Sequence, residues 1–191
     1  MEPWLAPNDK RLLYKYLDKS SVYFEYGSGG STYQASLRKN IRQIYSVESD
    51  KIWHTKLRDI LKEKQNITYL YNEMDSIPNT CGYPGPNSTE LQKKNYSNSI
   101  FLLDEGDRKK IDLVFIDGRF RVACCLKCFD AVNDTCCIAF DDFLNRPGYH
   151  VVLQYYDILE KTEDNRLVIL QKKKGISVPK ELIAQYELGA G

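Results

Sequence analysis

An apolar segment that runs directly into a glycine-rich turn constrains this chain more than any other feature. Residues 23–26 (YFEY) have the character of a buried strand, and residues 27–32 (GSGGST) follow at once. Glycine tolerates positive φ and lets a backbone approach a ligand closely. Residues 33–38 predict a helix, which places the amides of the turn at the positive end of its dipole. The segment therefore predicts a strand–turn–helix unit that cradles a nucleotide-like ligand.

The turn departs from two common phosphate-binding patterns. Thr32 stands where a dinucleotide-binding turn has its third glycine, and no Gly-Lys-Ser/Thr follows for a triphosphate. Glu48 ends the next predicted strand about 20 residues later, the spacing at which a carboxylate reaches ribose hydroxyls. We expect a ligand with an adenosine and no pyrophosphate. A glycine turn without a ligand and a solvated glutamate stay open as alternatives.

Predicted strands and helices alternate along most of the chain. This alternation indicates an α/β fold with a mostly parallel sheet that is covered on both faces. Two final strands, 155–161 and 166–172, flank the turn 162–165 and predict an antiparallel hairpin. The other predicted strands are 21–26, 41–48, 67–71, 111–116 and 136–140, and the predicted helices are 9–17, 32–40, 50–64 and 119–129.

Length and charge suggest one domain over residues 1–191, without internal repeats. The net charge is +1, so nucleic acid is not an expected partner, and we interpret residues 172–174 (KKK) as a solvated strand end. No apolar run is long enough to span a membrane. The N-terminus also lacks the basic start followed by an apolar run that is typical of a secretory leader. We therefore expect a soluble cytoplasmic protein without a membrane partner.

Six cysteines include a Cys-x-x-Cys pair, Cys125 and Cys128, with Cys136 and Cys137 nearby. Adjacent cysteines on a strand point to opposite faces, which disfavours four converging ligands. We interpret these residues as buried free thiols, and zinc is the alternative.

Residues 78–98 are rich in Pro, Gly, Asn and Ser and lack periodicity, which predicts a long loop. Loops of this length inside compact domains are often lids or binding loops. We expect Tyr83 and Tyr96 to contact an acceptor, and a mobile surface excursion is the alternative.

Acidic residues follow two neighbouring strands of the predicted sheet. Asp117 follows strand 111–116, and Asp141 and Asp142 follow strand 136–140. The carboxyl ends of parallel strands meet at one edge of a sheet, where ligands of open α/β folds bind. Three carboxylates there need a cation, a shared proton or positive neighbours. Oxygen ligands suit Mg²⁺ or Mn²⁺.

Three segments in this order, 25–32, 47–50 and 114–118, resemble successive motifs of class I S-adenosylmethionine-dependent methyltransferases. The resemblance implies a Rossmann-like methyltransferase fold that ends in an antiparallel hairpin, with S-adenosyl-L-methionine as cofactor. Glu25 would approach the methionine amino group through the loop, and Glu48 would hold the ribose. The implied cofactor-binding residues are Glu25, Tyr26, Gly27, Ser28, Gly29, Ser31, Thr32, Glu48, Ser49, Trp53, Asp75 and Asp117.

The acidic pattern is similar to that of metal-dependent sugar O-methyltransferases of the macrocin type, which implies Asp117, Asp141 and Asp142 as Mg²⁺ or Mn²⁺ ligands. Arg119 stands where that family has a second aspartate suited to be the base. Residues 116–124 also look like a motif of methyltransferase-like proteins encoded near bacterial and viral glycan-synthesis genes. That likeness implies a carbohydrate acceptor such as rhamnose, further glycan-synthesis domains on a longer chain, and the host cytoplasm for a viral protein.

Methyl transfer to a hydroxyl requires removal of a proton, and Asp117 is the first candidate for the base or the metal-bound activator. His150 is the second, because histidine titrates near neutrality. Catalytic roles are also expected for Asp142 and Arg119. Arg121 and Arg146 are expected to contact the acceptor, and balancing the charge of the carboxylates is the alternative role for these arginines. The alternatives are a small-molecule or catechol-type O-methyltransferase, a non-catalytic methyltransferase-like domain and an NAD-dependent Rossmann oxidoreductase.

Overall fold

A seven-stranded sheet forms the centre of the computed structural model, which describes residues 1–164 and 166–190. The strand order is β3-β2-β1-β4-β5-β7-β6; β1 to β5 are parallel, and β7 is antiparallel to both β5 and β6. The strands are β1 Val22–Tyr26, β2 Gln43–Glu48, β3 Ile67–Tyr71, β4 Leu113–Ile116, β5 Cys137–Phe140, β6 Tyr156–Lys161 and β7 Val168–Lys172. The predicted α/β architecture and its terminal hairpin are confirmed; residue 165 of the hairpin turn lies outside the described residues.

Helices cover both faces of the sheet. Strand β1 is buried throughout, and its alternating side chains supply two separate cores. Tyr23 packs with α1 and α2, whereas Phe24 and Tyr26 pack on the face of α4 and α6. The helices are α1 Pro7–Leu17, α2 Gly30–Ser36, α3 Lys51–Ile60, α4 Glu90–Asn98, α5 Glu105–Arg108, α6 Arg121–Ala131 and α7 Lys180–Tyr186, with 3₁₀ turns at Ser99–Leu102 and Pro147–Gln154.

The strand order reverses between β1 and β4, which run side by side with Tyr26 opposite Ile116. In open α/β sheets this reversal opens a crevice at the carboxyl ends of the strands, where ligands bind. The turn after β1 and Asp117 after β4 both lie at this carboxyl edge. The topology therefore brings the two most informative sequence segments to one place.

Part of the predicted loop 78–98 is helical. Helix α4 begins after Thr89, whose hydroxyl accepts a hydrogen bond from Gln92 N, while the Gln92 side chain accepts one from Thr89 N. This reciprocal pair is a capping box, and the Thr-x-x-Gln spacing is its sequence signature. The irregular segment therefore ends at Thr89, and Tyr96 lies on a helix.

Other differences have local causes. Helix α6 begins at Arg121, two residues later than predicted, because Phe120 adopts a left-handed conformation with φ of 53°. Lys172 is buried instead of solvated: it donates to the Val132 carbonyl and pairs with Asp134. Helices α5 and α7 and the two 3₁₀ turns were not predicted.

The cysteines are free thiols. Cys124, Cys125, Cys128 and Cys136 are buried, and burial raises their thiol pKa values well above the ordinary range. Throughout residues 1–164 and 166–190, no group of three or more His, Cys, Asp or Glu side chains is placed to hold a metal ion, so the zinc alternative has no support.

None of the helices in the same ranges is both long and apolar enough to cross a membrane.

Candidate active site

The turns after β1 and β4 touch through their backbones. Gly27 has φ of 97°, and its amide donates to the Val47 carbonyl at 3.0 Å. A Cβ on Gly27 would lie 2.8 Å from Gly118 Cα, and a Cβ on Gly118 would collide with the Tyr96 hydroxyl. Only glycine fits at both positions, so the crevice between β1 and β4 is built from bare backbone.

We predict that Gly118→Ala destabilises the protein by about 1–3 kcal/mol, the usual cost of overpacking. Gly106→Ala is the matched control, because a Cβ on Gly106 meets nothing within 4 Å. Denaturant midpoints of the two variants measure the difference. Equal stability of both variants would contradict the prediction, because it would mean that the turns after β1 and β4 can move apart without loss of folding free energy.

Buried hydroxyls hold Glu25 beneath the turn. Tyr23, Ser31 and Ser46 donate to its carboxylate at 2.6–2.8 Å, and Thr32 donates as well. Burial raises the pKa of Glu25, and these hydroxyl donors oppose the rise. Because its carboxylate accepts hydrogen bonds from residues of α2 and β2, Glu25 fixes the shape of the turn. Glu25 would act on a ligand only through the shape of this turn.

Trp53 and Ser28 shape the turn from the β2 side. The Trp53 Nε1–H donates to the Ser28 carbonyl at 2.8 Å, and the Ser28 and Ser46 hydroxyls lie 2.6 Å apart. Gly29 has open space where a Cβ would be, with Trp53 Nε1 nearest at 4.0 Å. Tyr26, in contrast, is fully buried and donates to the Ser97 carbonyl. Gly29 is therefore the least crowded glycine of the turn.

Glu48 lies at the carboxyl end of β2, as expected for a ribose-binding carboxylate. Its Oε1 accepts hydrogen bonds from Ser49 N at 2.7 Å and Asp50 N at 2.8 Å, which leaves Oε2 outside these two bonds. Asp50 in turn caps α3 through Trp53 N. Burial raises the pKa of Glu48 to about 7 against the lowering effect of these amides.

The lid loop, residues 72–89, lies over this carboxylate. The Ser49 hydroxyl donates to the Gly82 carbonyl at 3.4 Å, and the Ser76 hydroxyl donates to the Ser49 carbonyl at 3.1 Å. A Cβ on Gly82 would lie 3.5 Å from Glu48 Oε1. The lid loop then reaches β4, where the Arg119 guanidinium lies 5.9 Å from the Tyr83 ring centroid. The lid loop thus crosses the carboxyl edge of the sheet from β2 to β4.

Asp75 and Tyr96 have supporting positions. The Asp75 carbonyl accepts from Gly85 N and the Ser88 hydroxyl, and its carboxylate accepts from Asn87 N, so Asp75 holds the lid loop closed on itself. Tyr96 is buried, and its ring packs against Phe120 and Tyr26. Tyr96 therefore supports the β4 turn from below, since α4 packs it into the core, whereas Tyr83 lies on the exposed lid.

A buried arginine stands among the three aspartates at the ends of β4 and β5. Arg121, 5% exposed, places Nη2 at 3.0 Å from Asp117 Oδ1 and Nη1 at 3.4 Å from Asp142 Oδ2 and 3.7 Å from Asp141 Oδ2. It also donates to the backbone carbonyls of residues 117, 118 and 141. The guanidinium occupies the centre that a divalent ion would need. The predicted Mg²⁺ or Mn²⁺ site is therefore corrected: the charge is balanced by arginine, and no metal-binding group is found among the described residues.

Arginines also surround Asp142. Its carboxylate accepts from Arg166 at 2.7 Å and Arg146 at 3.0 Å in addition to Arg121. Burial alone would raise the pKa of Asp142, but the three guanidinium groups outweigh it and lower that pKa. The backbone of Asp142 has φ of 56°, an uncommon conformation away from glycine. Asp142 thus forms ion pairs with three arginines, and no sequence pattern indicates that Arg166 is one of them.

Asp117 has the most solvent-accessible carboxylate of the three, with 30% of its side chain exposed against 4% for Asp141 and 12% for Asp142. Burial raises the pKa of Asp117, and the charges of Arg121 and Arg119 oppose the rise. Burial, followed by the negative charges of Asp117 and Asp142, raises the pKa of Asp141 to about 8. This rise favours the protonated form of Asp141 near neutral pH.

Four of the eight buried side-chain atoms without a hydrogen bond among the described residues belong to this region, and the other four lie elsewhere. In the part of the chain that the structure describes, Asp141 Oδ1, Arg119 Nε, Arg166 Nε and His150 Nε2 are buried and lack a hydrogen bond. Buried polar groups are nearly always paired, so such a cluster marks a place that a ligand or water completes. His150 packs its ring 5.4 Å from that of Phe143, beside the cluster rather than against Asp117.

The raised pKa values predict a pH-dependent stability. A carboxyl whose pKa is higher in the folded state holds its proton more tightly there, so the free energy of unfolding falls as pH rises from the ordinary value to the folded one. The windows are 3.8 to about 8 for Asp141 and 4.5 to about 7 for Glu48. Together these two windows predict a loss of about 2–4 kcal/mol between pH 6 and 8 in urea titrations. Asp141→Asn should flatten this slope, and an unchanged slope would contradict the assignment.

Comparisons with known proteins show the fold. No family model matches the chain, and no curated protein matches it. A solved methyltransferase-like protein from Silicibacter pomeroyi is 24% identical over 100% of this chain and 98% of its own, with a TM-score of 0.85. A Bacillus subtilis tRNA methyltransferase is 12% identical over 97% and 74% of the two chains, with a TM-score of 0.53. A Salinibacter ruber RNA methyltransferase, solved with S-adenosyl-L-homocysteine, is 14% identical over 93% and 97%, with a TM-score of 0.54.

The RNA methyltransferases among these structures contradict the partners that were expected from the sequence. The expectation of a carbohydrate acceptor and no nucleic acid conflicts with them, because two of the three proteins act on RNA. Net charge misled the prediction, since a value near zero for the whole chain says nothing about local charge at one edge of the sheet. In its strand order, its antiparallel β7 and its crevice at the carboxyl edge, this chain has the Rossmann-like fold of class I methyltransferases.

Proposed function

We propose that this protein is an S-adenosylmethionine-dependent methyltransferase. The observation that carries the proposal is the junction of β1 and β4, where the open side of Gly29 and the Glu48 carboxylate share one edge with the solvent-facing Asp117. A Rossmann-type dehydrogenase more often continues with parallel strands, whereas β7 of this sheet is antiparallel to β5. The neighbour solved with S-adenosyl-L-homocysteine supports the choice of cofactor.

The residues present fit this cofactor. The turn at Gly27 and Gly29 would lie beneath its methionine moiety, Glu48 would accept hydrogen bonds from the ribose hydroxyls, and Ser49 and Trp53 would flank the adenine. When bound, S-adenosylmethionine supplies an electrophilic sulfonium methyl group. Since Gly82 of the lid loop lies against Ser49 and Glu48, the lid loop has to move outward for the ribose to enter.

Asp117 is the residue that we assign to proton removal. The protein must align donor and acceptor and take a proton from a weakly nucleophilic acceptor. Arg121 orients Asp117 through an ion pair, and its positive charge opposes the rise in the pKa of Asp117 that burial causes. Asp142 is held by three arginines and is therefore a positioning residue.

The acceptor that we propose carries phosphate, as RNA does. At the ends of β4, β5 and the β6–β7 hairpin, the arginines 119, 121, 146 and 166 outnumber the aspartates 117, 141 and 142. The side chains of Arg146 and Arg166 are 42% and 41% exposed, so they are accessible to an anion. Arginine binds phosphate through a planar fork of donors.

Isotope transfer tests the proposal. The protein is incubated with methyl-labelled S-adenosylmethionine and, in separate reactions, with unstructured RNA, a mononucleotide or a neutral glycoside. We expect label in a phosphate-bearing acceptor and none in reactions without protein. Label in the glycoside alone would contradict the proposed acceptor, and absence of label in every reaction, together with absence of cofactor binding, would contradict the proposed activity.

A further inference from the structure

The N-terminal strap, residues 1–6, presents one tryptophan to solvent from a fixed backbone. Trp4 is 92% exposed, although its neighbours Pro3 and Leu5 are both buried. Glu2 is tied down on both carboxylate oxygens, by Tyr14 at 2.8 Å and Gln34 at 2.7 Å. Because the residues on either side are anchored, the indole is held outward on an ordered segment.

One contact of the strap and one contact of the following helix α1 lie at the carboxyl edge of the sheet. The Glu2–Pro3 peptide lies so close to Gly30, the first residue of α2, that a Cβ on this glycine would collide with it. On the other side, Asp9 of α1 accepts a hydrogen bond from Leu167 N, next to Val168, which pairs with Phe140 at the end of β5. The chain between these contacts spans from β1 to β5, and β4 lies between those two strands.

Helix α1, which follows the strap, lies beside Arg166. Arg166 precedes Leu167 and is near enough to Asp9 for their charges to interact. Arg166 and Arg146 share the Asp142 carboxylate, and Arg119 follows Asp117. A planar aromatic surface and a group of partly exposed guanidinium groups therefore occupy the same edge as Asp117.

We propose that Trp4 stacks on the base of a nucleotide acceptor whose phosphate binds the arginines 119, 146 and 166. This inference rests on the proposed methyltransferase activity and specifies its acceptor. Every nucleobase has a π-face that an indole can cover, and arginine forks match phosphate oxygens. The same chemistry is offered by a mononucleotide and by an unpaired base of RNA, and the two sources differ in how many phosphates they present.

The test is equilibrium binding of adenosine monophosphate and of a short unstructured oligoadenylate RNA to four proteins: wild type, Trp4→Ala, Trp4→Phe and Leu102→Ala. Leu102 is 73% exposed on the 3₁₀ turn Ser99–Leu102 and serves as the control for loss of an exposed apolar side chain. We expect about ten-fold weaker binding of the preferred probe by Trp4→Ala, the scale of base–aromatic stacking, with most affinity kept by Trp4→Phe and all of it by Leu102→Ala. Tighter, salt-dependent binding of the RNA identifies RNA as the source, and equal binding of both probes identifies a mononucleotide.

S-adenosyl-L-homocysteine binding separates this inference from the proposed function. Its affinity should be the same in all four proteins, and its absence in the wild type would count against the proposed activity itself. If the cofactor product binds while Trp4→Ala retains full nucleotide affinity, or no nucleotide binds, the stacking role is overturned. A wild-type dimer that Trp4→Ala converts to monomer would also overturn it, because a second copy would then be what covers Trp4.

Discussion

Asparagine in place of Asp117 is expected to lower turnover by about 100-fold or more while cofactor affinity stays within a few-fold, as for loss of a general base. The substitution keeps the shape of the side chain and removes its charge. The glycine turn follows β1, Glu48 ends β2 and Asp117 follows β4, so the residues proposed for cofactor binding and for proton removal belong to different strands.

Single-turnover rates measure the effect on turnover, and the dissociation constant of S-adenosyl-L-homocysteine measures the effect on cofactor affinity. Asp130→Asn is the matched control, because Asp130 is exposed on α6 and the same charge is lost. Normal turnover by Asp117→Asn would mean that the carboxylate is structural. A parallel loss of cofactor affinity and turnover would place Asp117 in cofactor binding alone.

Replacement of Arg121 by methionine should cost about 3–5 kcal/mol of folding free energy, the usual effect of breaking a buried ion pair. Methionine preserves much of the volume but leaves Asp117, Asp141 and Asp142 without their shared guanidinium. The three backbone carbonyls that Arg121 binds also lose their donor. Urea denaturation at pH 7 measures the loss.

Arg11→Met is the control, since Arg11 is exposed on α1 and its removal should change stability by about 0.5 kcal/mol or less. Arg121→Lys should recover only part of the loss, because an ammonium group cannot span the same set of acceptors.

If Arg121 replaces the divalent ion, excess chelator should leave methyl transfer unchanged. Loss of activity in chelator that Mg²⁺ restores would contradict the arginine account.

The sequence was a good guide wherever function depends on the end of a strand. The glycine turn, Glu48 and Asp117 each follow an apolar segment that predicts a strand, and parallel pairing brings such ends together without knowledge of any tertiary contact. The predicted need of the three carboxylates for a counter-charge was also sound. The sequence left a cation, a shared proton and positive neighbours open as the source of that charge, and only tertiary packing selects Arg121.

Contacts between distant segments account for what was missed. Tyr96 belongs to α4, whose capping box was overlooked, and its burial depends on the glycine at position 118. Arg166 reaches Asp142 across 24 residues of chain. The exposure of Trp4 follows from anchors at Gly30 and Tyr14 that no local pattern reveals. Each of these features depends on tertiary packing rather than on periodicity or composition.

Calorimetric titration of S-adenosyl-L-homocysteine tests the central claim most directly. We predict one site per chain, no binding of NAD, and about ten-fold or greater weakening by Glu48→Ala, because hydrogen bonds to a charged group are worth about 1.5–3 kcal/mol. Glu63→Ala, at an exposed position just after α3, should bind as the wild type does. Absence of binding, equal binding of NAD, or undiminished affinity in Glu48→Ala would contradict the account.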